Sequence, residues 1–228
     1  MANIKIIYIA SDKHYASMFD KWVRNIECFA QEDIKNVVLL TNEDVDISKY
    51  NLQNVTITKY HIMHFPWPMM ALFKFHLIYN HINEHDDFVF YFNANFMPYP
   101  SLNIDRFTDD TLYLFRSNKK YEHKIWEEKN PYNQSIKYVV SGIIGGTYQR
   151  IKECCEFIID HINNLLVQCT IEYKHDESAL NHYVDHLYQT GGDFTILDFE
   201  DIGELDCSLH ENGDKEYHRK NVTKYVLE

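Results

Sequence analysis

The sequence predicts an α/β fold in which helices flank a central, mostly parallel sheet within one domain spanning residues 1–228. Three observations lead to this prediction. Short β-branched and aromatic runs alternate with longer segments whose apolar residues have helical spacing. The run from Asp87 to Phe92 is aromatic and β-branched and predicts a buried central strand. From Ile4 to Phe92, the order strand, helix, strand, strand, helix, strand is typical of doubly wound, nucleotide-binding sheets.

Strands are predicted where β-branched and aromatic residues cluster without helical spacing. The run from Val37 to Leu40 is continuously apolar and predicts a buried strand, whereas the next run alternates through Val55 and Ile57. A later apolar run, Tyr138 to Val140, leads into the glycines of residues 142–146. The predicted strands are Ile4–Ala10, Asn36–Thr41, Asn54–Tyr60, Phe88–Phe92, Leu112–Arg116 and Thr195–Leu197.

Helices are predicted where apolar residues recur every three or four positions, as Trp22 and Ile26 do in the first one. Asp176 is placed to act as the N-cap of the last helix. Gly191 and Gly192 are expected to end that helix, because glycine readily adopts the left-handed conformation of a helix C-terminus. The predicted helices are Tyr15–Gln31, Met69–Ile82, Thr147–Cys169 and Asp176–Tyr188.

Composition and charge argue against several classes of function. The formal net charge of −12 disfavours binding to nucleic acids or to anionic membranes, both of which require a basic surface. No apolar run approaches the roughly 18 residues that a membrane span requires. The five cysteines lack metal-ligand spacing, and their odd number predicts no disulfide framework. Since the chain begins on a strand without a signal-peptide pattern, we expect a cytoplasmic protein.

Three short segments contain the candidate functional residues. Asn93 to Asn95 follow the central strand, at the position where open α/β sheets bind ligands. The glycines within Ser141 to Gly146 allow backbone to approach a bulky ligand closely. In the third segment, His175 to Ser178, Glu177 can act as a nucleophile or a base. Each segment alone has a plainer explanation, respectively an Asx turn, strand packing or a helix cap.

Taken together, these segments resemble glycosyltransferase family 6. This family contains the blood-group A and B transferases, α-1,3-galactosyltransferase and short bacterial relatives that need no metal. Trp67-Pro68 before Lys74 is similar to the family's Trp-Pro…Arg-Phe-His stretch, with lysine in place of arginine. The stretch from Tyr138 to Gly146 is similar to the family's donor-sugar loop, so a loop is expected there. The His175 to Ser178 segment, continued by Leu180, Asn181 and Tyr183, resembles the family's most specific signature. The resemblance implies a GT-A-type nucleotide-binding domain.

The resemblance implies a retaining α-1,3-glycosyltransferase that moves GalNAc or galactose from a UDP-sugar to a galactoside, with a fucosylated galactoside as the expected acceptor. Glu177 would act as the nucleophile or as an anion that stabilises an oxocarbenium-like transition state. The amides of Asn93 and Asn95 stand where metal-dependent members have carboxylates, so no metal cofactor is expected. Glycine at Gly142 favours UDP-GalNAc over UDP-galactose.

The resemblance also assigns donor and acceptor residues. The tail at residues 211–228 is expected to be mobile and to fold over the diphosphate, where Lys215 and Arg219 would stabilise the departing charge, with Lys220 as a rival for the second role. His14 competes with Tyr15 in the uridine pocket. The expected donor-binding residues are Ile9, Ala10, Tyr15, Thr41, Asn42, Lys74, Asn93, Ala94, Asn95, Ser141, Gly142, Asp176, Lys215 and Arg219. The expected acceptor-binding residues are Trp126, Lys174 and His175.

Two other functions stay open at this point. One is a metal-dependent sugar-nucleotide transferase of another family, in which Asp86, Asp87 or His76 would hold the metal. The other is a catalytically idle module that binds nucleotides or glycans. Activity in the presence of a chelator separates the first from the metal-free transferase, and turnover itself separates the second.

Overall fold

The computed structural model describes residues 1–29, 32–65, 69–99, 107, 110–116, 138–171, 175–198, 201 and 203–205. Within these ranges the chain forms nine strands and four helices. The strands are β1 (Asn3–Ala10), β2 (Ile34–Thr41), β3 (Val55–His61), β4 (Phe88–Asn93), β5 (Phe96–Pro98), β6 (Leu112–Arg116), β7 (Val140–Thr147), β8 (Phe194–Asp198) and β9 (Gly203–Leu205). The helices are α1 (Lys13–Cys28), α2 (Met69–Tyr79), α3 (Tyr148–Val167) and α4 (His175–Thr190).

Seven of the described strands form one sheet in the order β3-β2-β1-β4-β7-β6-β8. All of them run in one direction except β7, which is antiparallel to both of its neighbours, β4 and β6. This confirms the predicted α/β fold with a mostly parallel central sheet flanked by helices. Because β7 is reversed, its amino end lies at the same edge of the sheet as the carboxyl ends of β1, β2 and β4.

Two apolar cores cover the two faces of the sheet. Side chains alternate along β1, so that Ile6 and Tyr8 enter one core and Ile7 enters the other. The first core is closed by α1, whose Trp22 is fully buried against the Tyr8 ring at a centroid distance of 4.5 Å. The second core is closed by α2, α3 and α4. The helix α4 that carries Glu177 is thereby packed on the sheet.

The predicted glycine-rich loop is wrong, because residues 142–146 lie inside the strand β7. A Cβ atom at Gly145 would lie 2.5 Å from the Phe90 ring, and one at Gly146 would lie 2.9 Å from the Thr111 carbonyl oxygen. These two glycines therefore allow neighbouring strands to pack closely. The loop was expected from the family resemblance, whereas strand packing was the plainer explanation of the same glycines.

The predicted N-cap role of Asp176 is also wrong. Helix α4 begins at His175, and Asp176 lies in its first turn with its carboxylate turned toward other elements. The predicted end of this helix is confirmed, since Gly191 has a φ of +72° and the Gly192 amide donates to the Leu187 carbonyl at 2.8 Å. At α1, Asp12 is the N-cap and accepts from the Tyr15 amide at 2.9 Å, so that helix begins earlier than predicted.

None of the helices in the described ranges is long and apolar enough to cross a bilayer. The four cysteines within these ranges, Cys28, Cys154, Cys155 and Cys169, are free thiols. The expected mobile tail at residues 211–228 lies outside the described residues.

Candidate active site

The Asn93 and Asn95 amides lie at the sheet edge predicted for the site. Asn93 ends β4, and its Nδ2 donates to the Asn95 Oδ1 at 2.9 Å. The opposing strand β7 brings Gly142 beside them, where an added Cβ would lie 3.5 Å from the Asn93 Cβ. That distance is an ordinary van der Waals contact. The first and second predicted segments therefore meet here.

A buried ion pair joins the third segment to the same edge. Lys74 is 5% exposed, and its Nζ donates to the Asp176 Oδ2 at 2.5 Å and to the Ser141 carbonyl oxygen at 2.7 Å. The Ser141 hydroxyl donates to the same Oδ2 at 2.6 Å. One residue from α2, one from β7 and one from α4 thus share a single polar network. Three residues that the sequence assigned to donor binding are in direct contact.

The charge of Asp176 is fixed by this network. Burial would raise the pKa of Asp176, but the Lys74 ammonium, together with the hydrogen bonds from Lys74 and Ser141, lowers it below its ordinary value. Asp176 is therefore an anion at neutral pH and holds the Lys74 cation. The same Nζ lies 5.2 Å from the centroid of the Tyr91 ring, which adds a cation–π contact.

Glu177, the predicted catalytic residue, is held by a tyrosine. The Tyr138 hydroxyl donates to the Glu177 Oε2 at 2.5 Å. Burial, followed by the nearby Glu177 carboxylate, raises the pKa of Tyr138 far above its ordinary value. Tyr138 therefore stays protonated and acts as the donor of this hydrogen bond. Sequence reasoning placed Tyr138 in the segment before the glycines but gave it no role.

Asn181 fixes the backbone of the same region and was also missed as a functional residue. It is fully buried, and its Nδ2 donates to the carbonyl oxygens of Val139 at 2.9 Å and Glu177 at 2.8 Å. Its Oδ1 accepts from the Val139 amide at 3.1 Å. The first turn of α4 is therefore bonded to the segment that leads into β7. Asn181 belongs to the stretch that resembles the family's signature, but sequence reasoning assigned it no role.

His175 begins α4 with a strained backbone. Its φ of +46° lies in the left-handed region, which residues other than glycine seldom adopt. The first turn of the helix then carries Asp176 and Glu177, and the positive end of the helix dipole favours both carboxylates. His175 is half-buried at this position. The expected acceptor-binding residue thus lies directly before the two carboxylates, at the start of the helix.

The residues predicted for the uridine pocket lie at the carboxyl ends of β1 and β2. Ile9 and Ala10 end β1, Thr41 ends β2, and all three are buried. Asn42 follows, and its buried Oδ1 has no hydrogen-bond partner among the described residues. A buried acceptor without a partner is costly, so a ligand with an N–H or O–H donor would satisfy it. The region predicted to bind uridine thus contains one buried polar atom to which the described residues supply no hydrogen-bond donor.

A second buried tyrosine, Tyr8, connects this pocket to the amide pair. Its hydroxyl lies 3.0 Å from the carbonyl oxygen of Tyr15 and 3.2 Å from that of Ala94, so one proton is shared between both acceptors. Tyr15 is half-buried, whereas its rival His14 is exposed. The sequence pattern identified Tyr8 only as a strand residue. Its bridging role depends on strand register, which the sequence did not specify.

Asp86 and Asp87, two of the three residues offered as alternative metal ligands, are at the opposite edge of the sheet. They precede β4, whereas Asn93 ends it, and six strand residues span about 20 Å. Asp86 pairs with Lys5 at 3.2 Å, and Asp87 accepts from the Asn3 amide at 2.7 Å. The two carboxylates therefore do not belong to the site.

The third alternative ligand, His76, lies on α2 only two residues from Lys74. Residues two apart on a helix point in different directions, so His76 is directed away from the Lys74 network. Burial lowers the pKa of His76. Within the part of the chain that the structure describes, no three His, Cys, Asp or Glu side chains form a group that could hold a metal.

Several predicted site residues cannot be placed. Trp126 and Lys174, expected at the acceptor, and Lys215, Arg219 and Lys220, expected at the diphosphate, lie outside the described residues. Their roles stay predictions. The predicted residues that the structure brings together are Asn93, Asn95, Ser141 and Gly142 at the carboxyl end of β4, Lys74 on α2, and Asp176 in the first turn of α4.

No protein-family model matches the chain, and no curated protein matches it either. The glycosyltransferase interpretation therefore depends on the motifs of the sequence and on the chemistry that the geometry of the site permits. The fold alone does not identify the function, because doubly wound sheets serve many unrelated functions.

Proposed function

We propose that the protein is a retaining glycosyltransferase that moves GalNAc, or alternatively galactose, from a UDP-sugar to a galactoside acceptor without a metal ion. The acceptor expected from the motifs is a fucosylated galactoside. Glu177 acts on the anomeric carbon, as a nucleophile or as an anion that stabilises the oxocarbenium-like transition state. The C1–oxygen bond to UDP breaks, the acceptor oxygen bonds to C1, and its proton passes to the departing diphosphate.

One observation carries this proposal. Lys74, Ser141 and Asp176 come from three elements and form one buried hydrogen-bonded network, with distances of 2.5 to 2.7 Å. The network lies beside Glu177 in the chain and beside the strand edge where α/β sheets bind ligands. A buried ion pair is costly to build and is a weak source of stability, which favours a functional reason for it.

The amide pair supports the metal-free part of the proposal. Asn93 and Asn95 bear no charge and are poor ligands for a hard divalent cation, which prefers carboxylates. Amide groups can donate hydrogen bonds to sugar hydroxyls or phosphate oxygens. Carboxylates in these positions would instead repel the diphosphate unless a cation lay between them.

The unpartnered Oδ1 of Asn42 supports a nucleotide donor. This acceptor lies just after β2, and the His64 Nδ1 is 3.5 Å from the Asn42 Nδ2 and 3.1 Å from the Ser11 carbonyl oxygen. A uracil ring presents one N–H donor between two carbonyl acceptors, and this N–H is the kind of donor that the Asn42 Oδ1 lacks. The pocket and the Lys74 network thus suit the two halves of a UDP-sugar.

The test is the release of UDP from UDP-GalNAc and UDP-galactose in EDTA, with and without a fucosylated galactoside. We expect turnover in EDTA for wild type and a loss of at least about 100-fold in Glu177→Gln. The matched control is Asp87→Asn, the same change from carboxylate to amide at the opposite edge, which should leave turnover unchanged. Asp87 is exposed, so its substitution should not disturb the core.

Three outcomes contradict the proposal in different ways. Turnover that needs manganese shows that the metal-free part is wrong. Full activity of the Glu177→Gln variant shows that Glu177 is not the catalytic residue. Tight UDP binding without turnover on either donor favours a catalytically idle binding module.

A further inference from the structure

We propose that Tyr138 is a positioning residue, which fixes the Glu177 carboxylate for the transfer reaction through its hydroxyl. The inference deepens the proposed function and rests on it. Tyr138 contacts Glu177 at 2.5 Å, a distance typical of an O–H donor bonded to a charged oxygen. Tyr138 therefore acts through Glu177 and does not contact the sugar itself.

The two partners sit on elements that are themselves fixed. Tyr138 is 5% exposed and lies just before β7, a strand paired on both sides. Glu177 lies in the first turn of α4, and Asn181 ties the backbone of that turn to Val139. Backbone and side chain of Glu177 are thus each bonded to the short segment of residues 138–139. Such support on rigid elements is what a precisely aimed catalytic group requires.

A glutamate needs this support because its side chain is otherwise loosely defined. The terminal torsion of glutamate has broad minima, so a carboxylate without a partner samples many orientations. A hydrogen bond to one oxygen, Oε2, removes most of that freedom before the donor sugar binds. Ordering a reacting group in advance lowers the barrier of the chemical step.

Phenylalanine at residue 138 preserves the buried ring and removes only the hydroxyl. For Tyr138→Phe we expect kcat to fall by about ten-fold or more, the scale of one hydrogen bond to a charged group, with the KM for the donor little changed. A residue that binds the sugar itself would instead raise KM. The combined Tyr138→Phe and Glu177→Gln variant should be no slower than Glu177→Gln alone, because both changes remove the same action.

Tyr183→Phe is the matched control. Tyr183 is a second buried tyrosine, 6% exposed, on the helix α4 that carries Glu177, and its ring packs on Phe157 with centroids 5.0 Å apart. Removing its hydroxyl tests whether the loss of any buried tyrosine hydroxyl near α4 slows turnover. We expect kcat of Tyr183→Phe to stay within about two-fold of wild type.

The outcomes separate this inference from the proposed function. Wild type that turns over no donor overturns the proposed function, and the catalytic inference with it. Active wild type with an unchanged kcat in Tyr138→Phe, or with a changed KM alone, overturns the inference and leaves the function standing. Urea unfolding of Tyr138→Phe, of Glu177→Ala and of the variant with both changes requires no turnover. Strictly additive shifts of the urea midpoint in this set would overturn the Tyr138–Glu177 contact itself.

Discussion

Substitution of Lys74 by methionine tests the ion pair on which the site is built. Methionine keeps the length and apolar stem of lysine and removes the ammonium group. In wild type, the Lys74 Nζ is 2.5 Å from the Asp176 Oδ2, and the two side chains are 7% and 16% exposed. The change therefore leaves a carboxylate buried without its cation.

The expected loss follows from that burial. Breaking a buried ion pair by removing one partner costs about 3 to 5 kcal/mol, because the remaining charge is left uncompensated. The Ser141 hydroxyl still donates to Asp176 at 2.6 Å, which favours the lower end of this range. We expect Lys74→Met to lower the free energy of unfolding by about 3 kcal/mol near neutral pH.

The free energy of unfolding should depend on pH in opposite directions in wild type and in the Lys74→Met protein. In wild type, the pKa of Asp176 lies below its ordinary value of about 3.9, so the ion-pair stabilisation is complete near neutral pH and is lost only below about pH 4. Without the Lys74 ammonium, burial raises the pKa of Asp176 instead. The Lys74→Met protein should therefore regain stability, relative to wild type, as the pH falls from about 8 to about 5.

Urea unfolding of wild type and variants across this pH range measures the effect. The double variant Lys74→Met with Asp176→Asn removes the stranded charge and should recover much of the loss. Lys49→Met is the control, because Lys49 forms an exposed pair with Asp20 at 2.9 Å and should change stability far less. A loss below about 1 kcal/mol, or one that Asp176→Asn fails to relieve, would refute the buried-pair argument.

The remaining predictions use smaller changes. Gly142→Ala should leave the urea midpoint nearly unchanged, because its Cβ meets only a 3.5 Å contact, but should shift the ratio of turnover on UDP-GalNAc to that on UDP-galactose toward galactose. Gly145→Ala should lower the urea midpoint, by a clash of 2.5 Å with the Phe90 ring. Tyr8→Phe should cost about 1 to 3 kcal/mol in urea unfolding, because two carbonyl acceptors lose their buried donor. Equal shifts of the urea midpoint in Gly142→Ala and Gly145→Ala would contradict the packing described for these glycines. An unchanged urea midpoint in Tyr8→Phe would contradict the role of its hydroxyl as a buried donor.

Periodicity was sufficient to predict most of the sheet and helices. The buried strand at Val37 to Leu40 and the helix around Trp22 were found because each pattern reports a face turned toward a core. The reversed strand β7 was not found, since its glycines look like a loop until Phe90 is known to pack over Gly145. Local preference was overridden there by tertiary packing.

The site could be predicted as a set of segments but not as a set of contacts. The sequence identified Asp176 and Lys74 separately, 102 residues apart, and could not show that they form a pair. Asp176 therefore looked like a helix cap, which is the commoner use of an acidic residue before a helical pattern. The sequence also could not predict that Tyr138 contacts Glu177, because only the fold brings these two residues together.

The charge balance of the site places a limit on how the proposed donor is held. Lys74 is already paired with Asp176, and moving it to the diphosphate would strand that buried carboxylate at a cost of about 3 to 5 kcal/mol. Asn93 and Asn95 offer hydrogen bonds but no charge. In the proposed reaction, the charge that develops on the departing UDP should therefore be stabilised by cations other than Lys74. Lys215 and Arg219, which lie outside the described residues, remain the sequence prediction for that role.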